Sequence, residues 1–182
     1  MADSDQRSDQ DLVRAANRGE VKAFEALYFR YRDWVVSLAY RFTGNRDDAL
    51  DVLQETFAYL LRKFPGFGLT ASMKTFLYPA VKNLSVAIRR KRKRFAGDAE
   101  VLTGVAAPAE PRRASREELA AVLAALDDAH RGVLLMRFVD GMALAEIADA
   151  LGIPLGTVKS RLHNALGRLR DDPRTRNYFD KP

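Results

Sequence analysis

The stretch that decides the fold runs Glu146-Ile-Ala-Asp-Ala-Leu-Gly-Ile-Pro-Leu-Gly-Thr-Val-Lys-Ser-Arg-Leu162. Ile147, Ala148 and Leu151 recur at the steps that line one side of a helix. Gly152-Ile153-Pro154 then interrupts the pattern, because glycine closes helices readily and proline cannot continue one. Val158, Leu162 and Ala165 resume it in a second helix, from Leu155 to Arg170, and face the first set. Helix, three-residue turn and helix is the helix-turn-helix arrangement, and Ala148 is small enough to let the two helices cross closely. Thr157, Lys159, Ser160, Arg161, His163 and Asn164 spread around the polar side of the second helix near its start. From there such a helix reads base edges and phosphates, and its amides and dipole favour an anion.

The segments just upstream extend this into a small helical domain. Ser115 and Glu118 have capping-box spacing, and Leu119, Val122, Leu123 and Leu126 mark the helix behind them. Asp127 or Asp128 opens the next helix, which carries Val133, Leu134 and Phe138 inward and ends at Gly141. Ala143 to Leu151 follows. Residues 116–149 hold three cations against seven acids, whereas Lys159 to Arg170 holds four cations and no acid. Positive charge is therefore concentrated on the last helix.

The N-terminal half is helical too. Ser8 caps a short first helix ending at Gly19. From Glu20 the residues Phe24, Leu27, Tyr28, Tyr31, Val35, Leu38 and Phe42 form one stripe of a long amphipathic helix closed by Thr43-Gly44. Asn45 caps a third helix to about Phe64, with Leu50, Leu53, Phe57, Leu60 and Phe64 inward and Asp48, Asp51 and Glu55 opposite. Pro65-Gly66-Phe67-Gly68 makes a loop. A fourth helix spans about Ser72 to Arg94, with Phe76, Leu77, Ala80, Leu84 and Ile88 inward and a kink at Pro79. It closes on Arg89 to Arg94, six consecutive cations. Residues 96–114 lose all periodicity and contain two prolines, which reads as a flexible linker. The expectation is an all-α chain of two small helical domains, 10–95 and 115–172. A disordered tail at 1–9 precedes them and a second tail at 173–182 follows.

Composition narrows the function. The net charge is +6 over 182 residues, and two separate basic runs favour a polyanionic partner. There is no cysteine and only two histidines, His130 and His163, which excludes a disulfide scaffold and argues against a zinc site. No apolar run reaches the roughly 18 residues needed to span a bilayer. The polar, acidic start MADSDQRSDQ is not a secretory signal, so a cytoplasmic location is expected without membrane insertion.

Arg131-Gly-Val-Leu-Leu-Met-Arg-Phe-Val-Asp-Gly141, Glu146-Ile-Ala148 and Gly156-Thr-Val-Lys-Ser-Arg-Leu-His163 together resemble region 4 of bacterial sigma factors. The resemblance implies that the last helix enters the major groove at the promoter's minus-thirty-five element. It also implies a contact with the β flap of RNA polymerase. Phe24-Glu-Ala-Leu-Tyr-Phe-Arg-Tyr31 and Asp48-Ala-Leu-Asp-Val-Leu-Gln-Glu-Thr-Phe57 resemble region 2, whose second stretch docks on the β′ coiled coil. That assigns Asp51, Gln54 and Glu55 to the polymerase.

Phe76-Leu-Tyr-Pro-Ala-Val-Lys-Asn-Leu84 resembles the segment that reads and melts the minus-ten element. The residue types suit the task, since unpaired bases need flat surfaces to stack on and cations for their backbone. Phe64 and Phe76 read as core; Phe67, Tyr78, Lys82, Asn83, Arg89 and Arg90 read as the DNA face.

With a linker in place of regions 1.1 and 3, the chain is similar to the extracytoplasmic-function (ECF) class. The resemblance implies core RNA polymerase, promoter DNA and an anti-sigma factor as partners. No cofactor, metal or small-molecule substrate is implied, and no catalysis. Four residues depart from the family pattern: Phe76 stands for tryptophan, Asn164 for a frequent arginine, Ala143 for a capping serine or threonine, and Pro79 falls inside a helix. The rival reading is a helix-turn-helix regulator acting without core polymerase, which predicts a sensor domain where this chain has an amphipathic bundle. An enzyme is weaker still, since Gly66-Phe-Gly68 has no following GK[ST] and no acid–base constellation stands out.

Overall fold

The computed structural model describes residues 5–96 and 113–176, with 95–96 and 113–118 as backbone alone. The described residues form helices and no strand: α1 (Asp9–Asn17), α2 (Val21–Thr43), α3 (Arg46–Leu61), α4 (Met73–Ala96), α5 (Arg113–Ala125), α6 (Asp128–Phe138), α7 (Leu144–Leu151) and α8 (Leu155–Asp171). They fall into two compact units, one within residues 1–106 and the other within 107–182. The expected linker at 96–114 lies almost wholly outside the described residues, as do the side chains of the Ser115–Glu118 box.

Local sequence sets the helix ends. The Ser8 hydroxyl oxygen accepts from the Asp11 amide at 3.2 Å, and the Asn45 carboxamide oxygen from the Asp48 amide at 2.9 Å. α2 closes on Gly44, whose φ of 65° lies in the left-handed region that glycine enters without strain. Ser72, ahead of α4, accepts from the Thr75 amide at 3.2 Å.

The first unit packs α2, α3 and α4 mutually, with α1 against α2. Leu27, Val35, Leu38, Val52, Leu60, Met73, Leu77 and Val81 are its buried centre. Two inner faces differ from expectation. On α3 the buried line is Ala49, Val52, Leu53, Thr56, Phe57 and Leu60, while Leu50 stays 39% exposed. α3 is sandwiched between α2 and α4, so its buried arc centres on small residues that fit between two neighbours. On α4 the wholly buried positions are Met73, Leu77, Val81 and Ser85, and Phe76, Ala80, Leu84 and Ile88 are only half-buried. α4 continues as one helix through Pro79, although the proline denies the Thr75 carbonyl its usual amide partner.

The second unit is smaller. Val122, Leu126, Leu134, Ala165 and Leu169 form its core, with Leu123, Leu162 and Leu166 packed against it. Phe138, expected inward, is 60% exposed beside the equally bare Val139 at the end of α6. The apolar contacts of α6 are instead made by Val133, Leu134 and Met136.

Residues assigned from sequence to the two tails make specific contacts. Arg7 pairs with Glu20 and with Asp5, both at 2.7 Å. Arg30 donates to Asp9 at 2.6 Å and to the carbonyls of Asp5 and Arg7. Thr175 is buried and donates its hydroxyl to the Leu169 carbonyl.

Candidate nucleic-acid and polymerase interfaces

The turn between α7 and α8 is built on Gly152, with φ of 65°. Its amide donates to the Asp149 carbonyl at 3.2 Å, and the next amide, of Ile153, reaches the Ala148 carbonyl at 3.1 Å. Ile147, Ala148, Val158 and Ala165 are buried as the pattern demands, and Leu151 and Leu162 are half-buried. Ala143 cannot cap α7 with a side chain, but the Glu146 carboxylate accepts from the Ala143 amide at 2.7 Å, half of a capping box.

α8 begins after Pro154 with no side-chain cap, so its first turn offers amides to an outside anion. Further along α8 Lys159, Ser160, His163 and Asn164 are exposed; Thr157 and Arg161 are half-buried. The Ser160 hydroxyl donates to the Thr157 carbonyl at 3.0 Å, which leaves its oxygen as an acceptor only.

In the first unit an aromatic group gathers where the loop before α4 meets α3 and α4. Phe67 lies 5.5 Å from Phe64 and 4.7 Å from Phe76, and Phe76 stacks on Tyr59 at 6.0 Å. All four rings are half-buried, so Phe64 and Phe76, read as core, also keep some surface. Lys63 sits 4.8 Å over Tyr59. Phe76, Asn83 and Arg90 recur every seven residues and stay within about 40° of one line along α4. Lys82, Asn83, Arg89 and Arg90 are all exposed.

Tyr78 corrects the sequence reading. It is 5% exposed and packs 6.2 Å from Phe42 inside the bundle, so it has no free face for a base. Two residues make about 200° of helix, so Phe76 and Tyr78 cannot share a side.

Three residues of this region were not singled out from sequence. Lys63 lay outside the two basic runs, and Arg92 lay inside one of them without distinction. Asn17, at the end of α1, accepts from the Gly66 and Phe67 amides at 2.7 and 3.0 Å and donates to the Phe67 carbonyl at 2.8 Å. An asparagine ending a helix reads as a terminus signal, and nothing local points to a loop fifty residues on.

The polymerase candidates Asp51, Gln54 and Glu55 are exposed within one arc of α3. Asp48 is not part of that free surface, because Arg92 pairs with it at 2.6 Å. No helix among the described residues is long and apolar enough to cross a membrane.

Comparisons with known proteins bear on both units. The family model for sigma-70 region 2 matches residues 27–95, and that for sigma-70 region 4 matches residues 122–171. The chain is 32% identical to the RNA polymerase sigma-H factor of Pseudomonas aeruginosa, over 88% of this chain and 91% of the relative. It is 29% identical to the ECF RNA polymerase sigma factor SigW of Bacillus subtilis, over 87% and 92%. It is 30% identical to the ECF RNA polymerase sigma-E factor of Escherichia coli, over 89% and 92%. Among solved structures it resembles CnrH in complex with the cytosolic domain of CnrY, with a TM-score of 0.64 and 25% identity over 88% and 93% of the two chains. The fold also matches the sigma factor RpoE of Bartonella quintana, solved with the anti-sigma factor NepR, at a TM-score of 0.66 and 22% identity over 82% and 96%. With a helix-turn-helix in one unit and a basic, aromatic-edged bundle in the other, the chain belongs to the sigma-70 family, as an ECF RNA polymerase sigma factor.

Proposed function

We propose that this sigma factor binds core RNA polymerase and divides promoter recognition between its units. Residues 10–95 act as the region 2 domain and 115–172 as the region 4 domain, with 96–114 as their linker. Thr157, Lys159, Ser160, Arg161, His163 and Asn164 meet the minus-thirty-five element. Phe67, Lys82, Asn83, Arg89 and Arg90 meet the minus-ten element. Asp51, Gln54 and Glu55 dock on the β′ coiled coil, and the second unit meets the β flap.

The observation that carries this reading is the start of α8. It has no side-chain cap and sits on the tight Gly152 turn, with Lys159 exposed in the next turn and His163 and Asn164 exposed at mid-helix. Sigma factors as a family are not enzymes, and this chain works by binding alone. It acts in the cytoplasm, with an anti-sigma factor as a further partner.

The test is run-off transcription with core polymerase on a genomic library, sequencing the start sites. Start sites preceded by a common pair of upstream elements are expected. One double variant separates docking from folding: Asp51→Lys with Glu55→Lys should keep helicity, since both residues are exposed, yet weaken core binding. Normal transcription by that double variant refutes the docking assignment. Nanomolar sequence-specific binding by the free protein at physiological salt refutes the division of labour, because two small domains on a linker gain affinity only when core polymerase fixes their spacing.

A further inference from the structure

The loop between α3 and α4 has no ladder of its own. Residues 64–72 are irregular, and Gly66 has a φ of 101°. Phe67 leans on Phe64 and Phe76, but those ring contacts hold the side chain and do not fix the loop backbone that carries it. What gives this backbone a fixed height is Asn17. Its oxygen takes both the Gly66 and Phe67 amides, filling its two lone pairs, and its nitrogen donates to the Phe67 carbonyl. Three directional bonds on two adjacent residues leave the peptide little freedom to rotate.

Asn17 is itself well held. It is the last residue of α1, a helix anchored by buried Leu12, Val13 and Ala15. The other end of α1 is fixed by the Ser8 cap and by Asp9, which accepts from Arg30 at 2.6 Å and from the Tyr31 hydroxyl. α1 is thus a short brace seated on α2 whose far end grips the loop. It lies ahead of the residues, 27–95, that match the region 2 family model.

We propose that Asn17 is a positioning residue for minus-ten recognition: it clamps the Gly66–Phe67 backbone so that the Phe67 ring is presented for stacking on an unpaired promoter base. The inference rests on the reading of Phe67 as a DNA contact. Asn17 itself touches no DNA. It acts by setting beforehand the position that Phe67 would otherwise have to find during melting, so its effect is transmitted wholly through that ring.

The test is a double-mutant cycle in the full chain with core polymerase, using Asn17→Ala, Phe67→Ala and the double variant. Open-complex formation is followed by permanganate reactivity of minus-ten thymines, core binding is measured separately, and amide exchange of Gly66 and Phe67 is followed in the free protein. N17A should speed exchange at those two amides, leave core affinity unchanged and slow opening by roughly tenfold, the loss expected for such hydrogen bonds. The double variant should open within about twofold of F67A alone, since both act through one ring. Additive losses overturn the proposal, as does normal opening by N17A while F67A is impaired; in either case the reading of Phe67 survives. If F67A opens promoters normally, the reading of Phe67 falls and the proposal falls with it. Should N17A not fold, Asn17→Leu, which keeps the branched shape and removes every side-chain hydrogen bond, takes its place under the same criteria.

Discussion

Arg92 donates to the Asp48 carboxylate at 2.6 Å, tying the basic end of α4 to the first turn of α3. It also reaches the Thr43 carbonyl at 3.5 Å, at the end of α2. One member of the six-cation run is therefore committed to the bundle. Arg89, Arg90, Lys91, Lys93 and Arg94 are exposed and carry no ion pair among the described residues.

The cations of this run should separate by phenotype. Arg92→Ala should lower the stability of the first unit by about 0.5–1 kcal/mol, the scale of a partly exposed pair, and leave the salt dependence of DNA binding unchanged. Arg89→Ala and Arg90→Ala should each reduce the salt slope by about one counterion without moving the melting temperature. Thermal melts and salt titrations of the three holoenzymes decide it; an Arg92 variant with a flattened slope contradicts the assignment.

Tyr78 and Phe67, both read from sequence as DNA-facing, should separate by phenotype. Tyr78→Ala removes a buried ring and should cost about 3–5 kcal/mol of stability, which would dominate any effect on transcription. Phe67→Ala removes a half-buried one, should cost under about 1.5 kcal/mol, and should slow promoter opening at unchanged core binding. Denaturant unfolding alongside permanganate footprinting measures both.

Lys159 and Arg161 stand about 200° apart on α8, and the first is exposed while the second is half-buried. One should hold phosphate and the other approach base edges. Replacing the phosphate holder with alanine should weaken every promoter alike. Replacing the base reader should cost about 1–3 kcal/mol on the cognate upstream element and relax preference at one position. Open-complex assays on promoters mutated base by base distinguish them. Wild-type behaviour by both variants would remove α8 as the reading helix.

Acid should loosen the start of α6. Asp127 caps that helix, and its carboxylate is held at about 2, below the ordinary 3.8, first by the His130 side chain and then by the His130 amide. A lowered folded value means the ionised form is favoured in the folded state. Its contribution is complete above the ordinary value and is lost as pH falls through about 2. Asp127→Asn keeps a good cap but cannot titrate, so the acid transition of the second unit should flatten between about pH 4 and 2. Helicity followed by circular dichroism across that range checks it.

What could be read from sequence was what neighbours in sequence decide. Ser8, Gly44, Asn45 and Gly152 act within four residues of themselves, and each stands where the pattern placed it. The α7–α8 core was legible because one short turn joins its two halves. The inner faces of α3 and α4 were legible at Leu53, Phe57, Leu60 and Leu77 but not at their centres, because each helix packs against two partners and the bulkiest residues do not mark the centre of such an arc. Leu50 and Phe76 drew the eye, whereas Ala49, Thr56 and Ser85 are what the fold buries. Tyr78 was read as DNA-facing from a family pattern, whereas it is buried against Phe42. Asn17 was out of reach for a plainer reason: its partners are fifty residues away, and no periodicity spans that gap.

Six consecutive residues sweep about 500° around a helix, more than a full circuit. The run from Arg89 to Arg94 is therefore a collar around the end of α4 and not a strip along it, and some member had to turn back toward the bundle, as Arg92 does. A collar has no single bearing. On the proposed reading, a nucleic-acid strand that leaves a duplex and changes course would meet a cation on each outward approach, with no need for the helix to rotate and follow it.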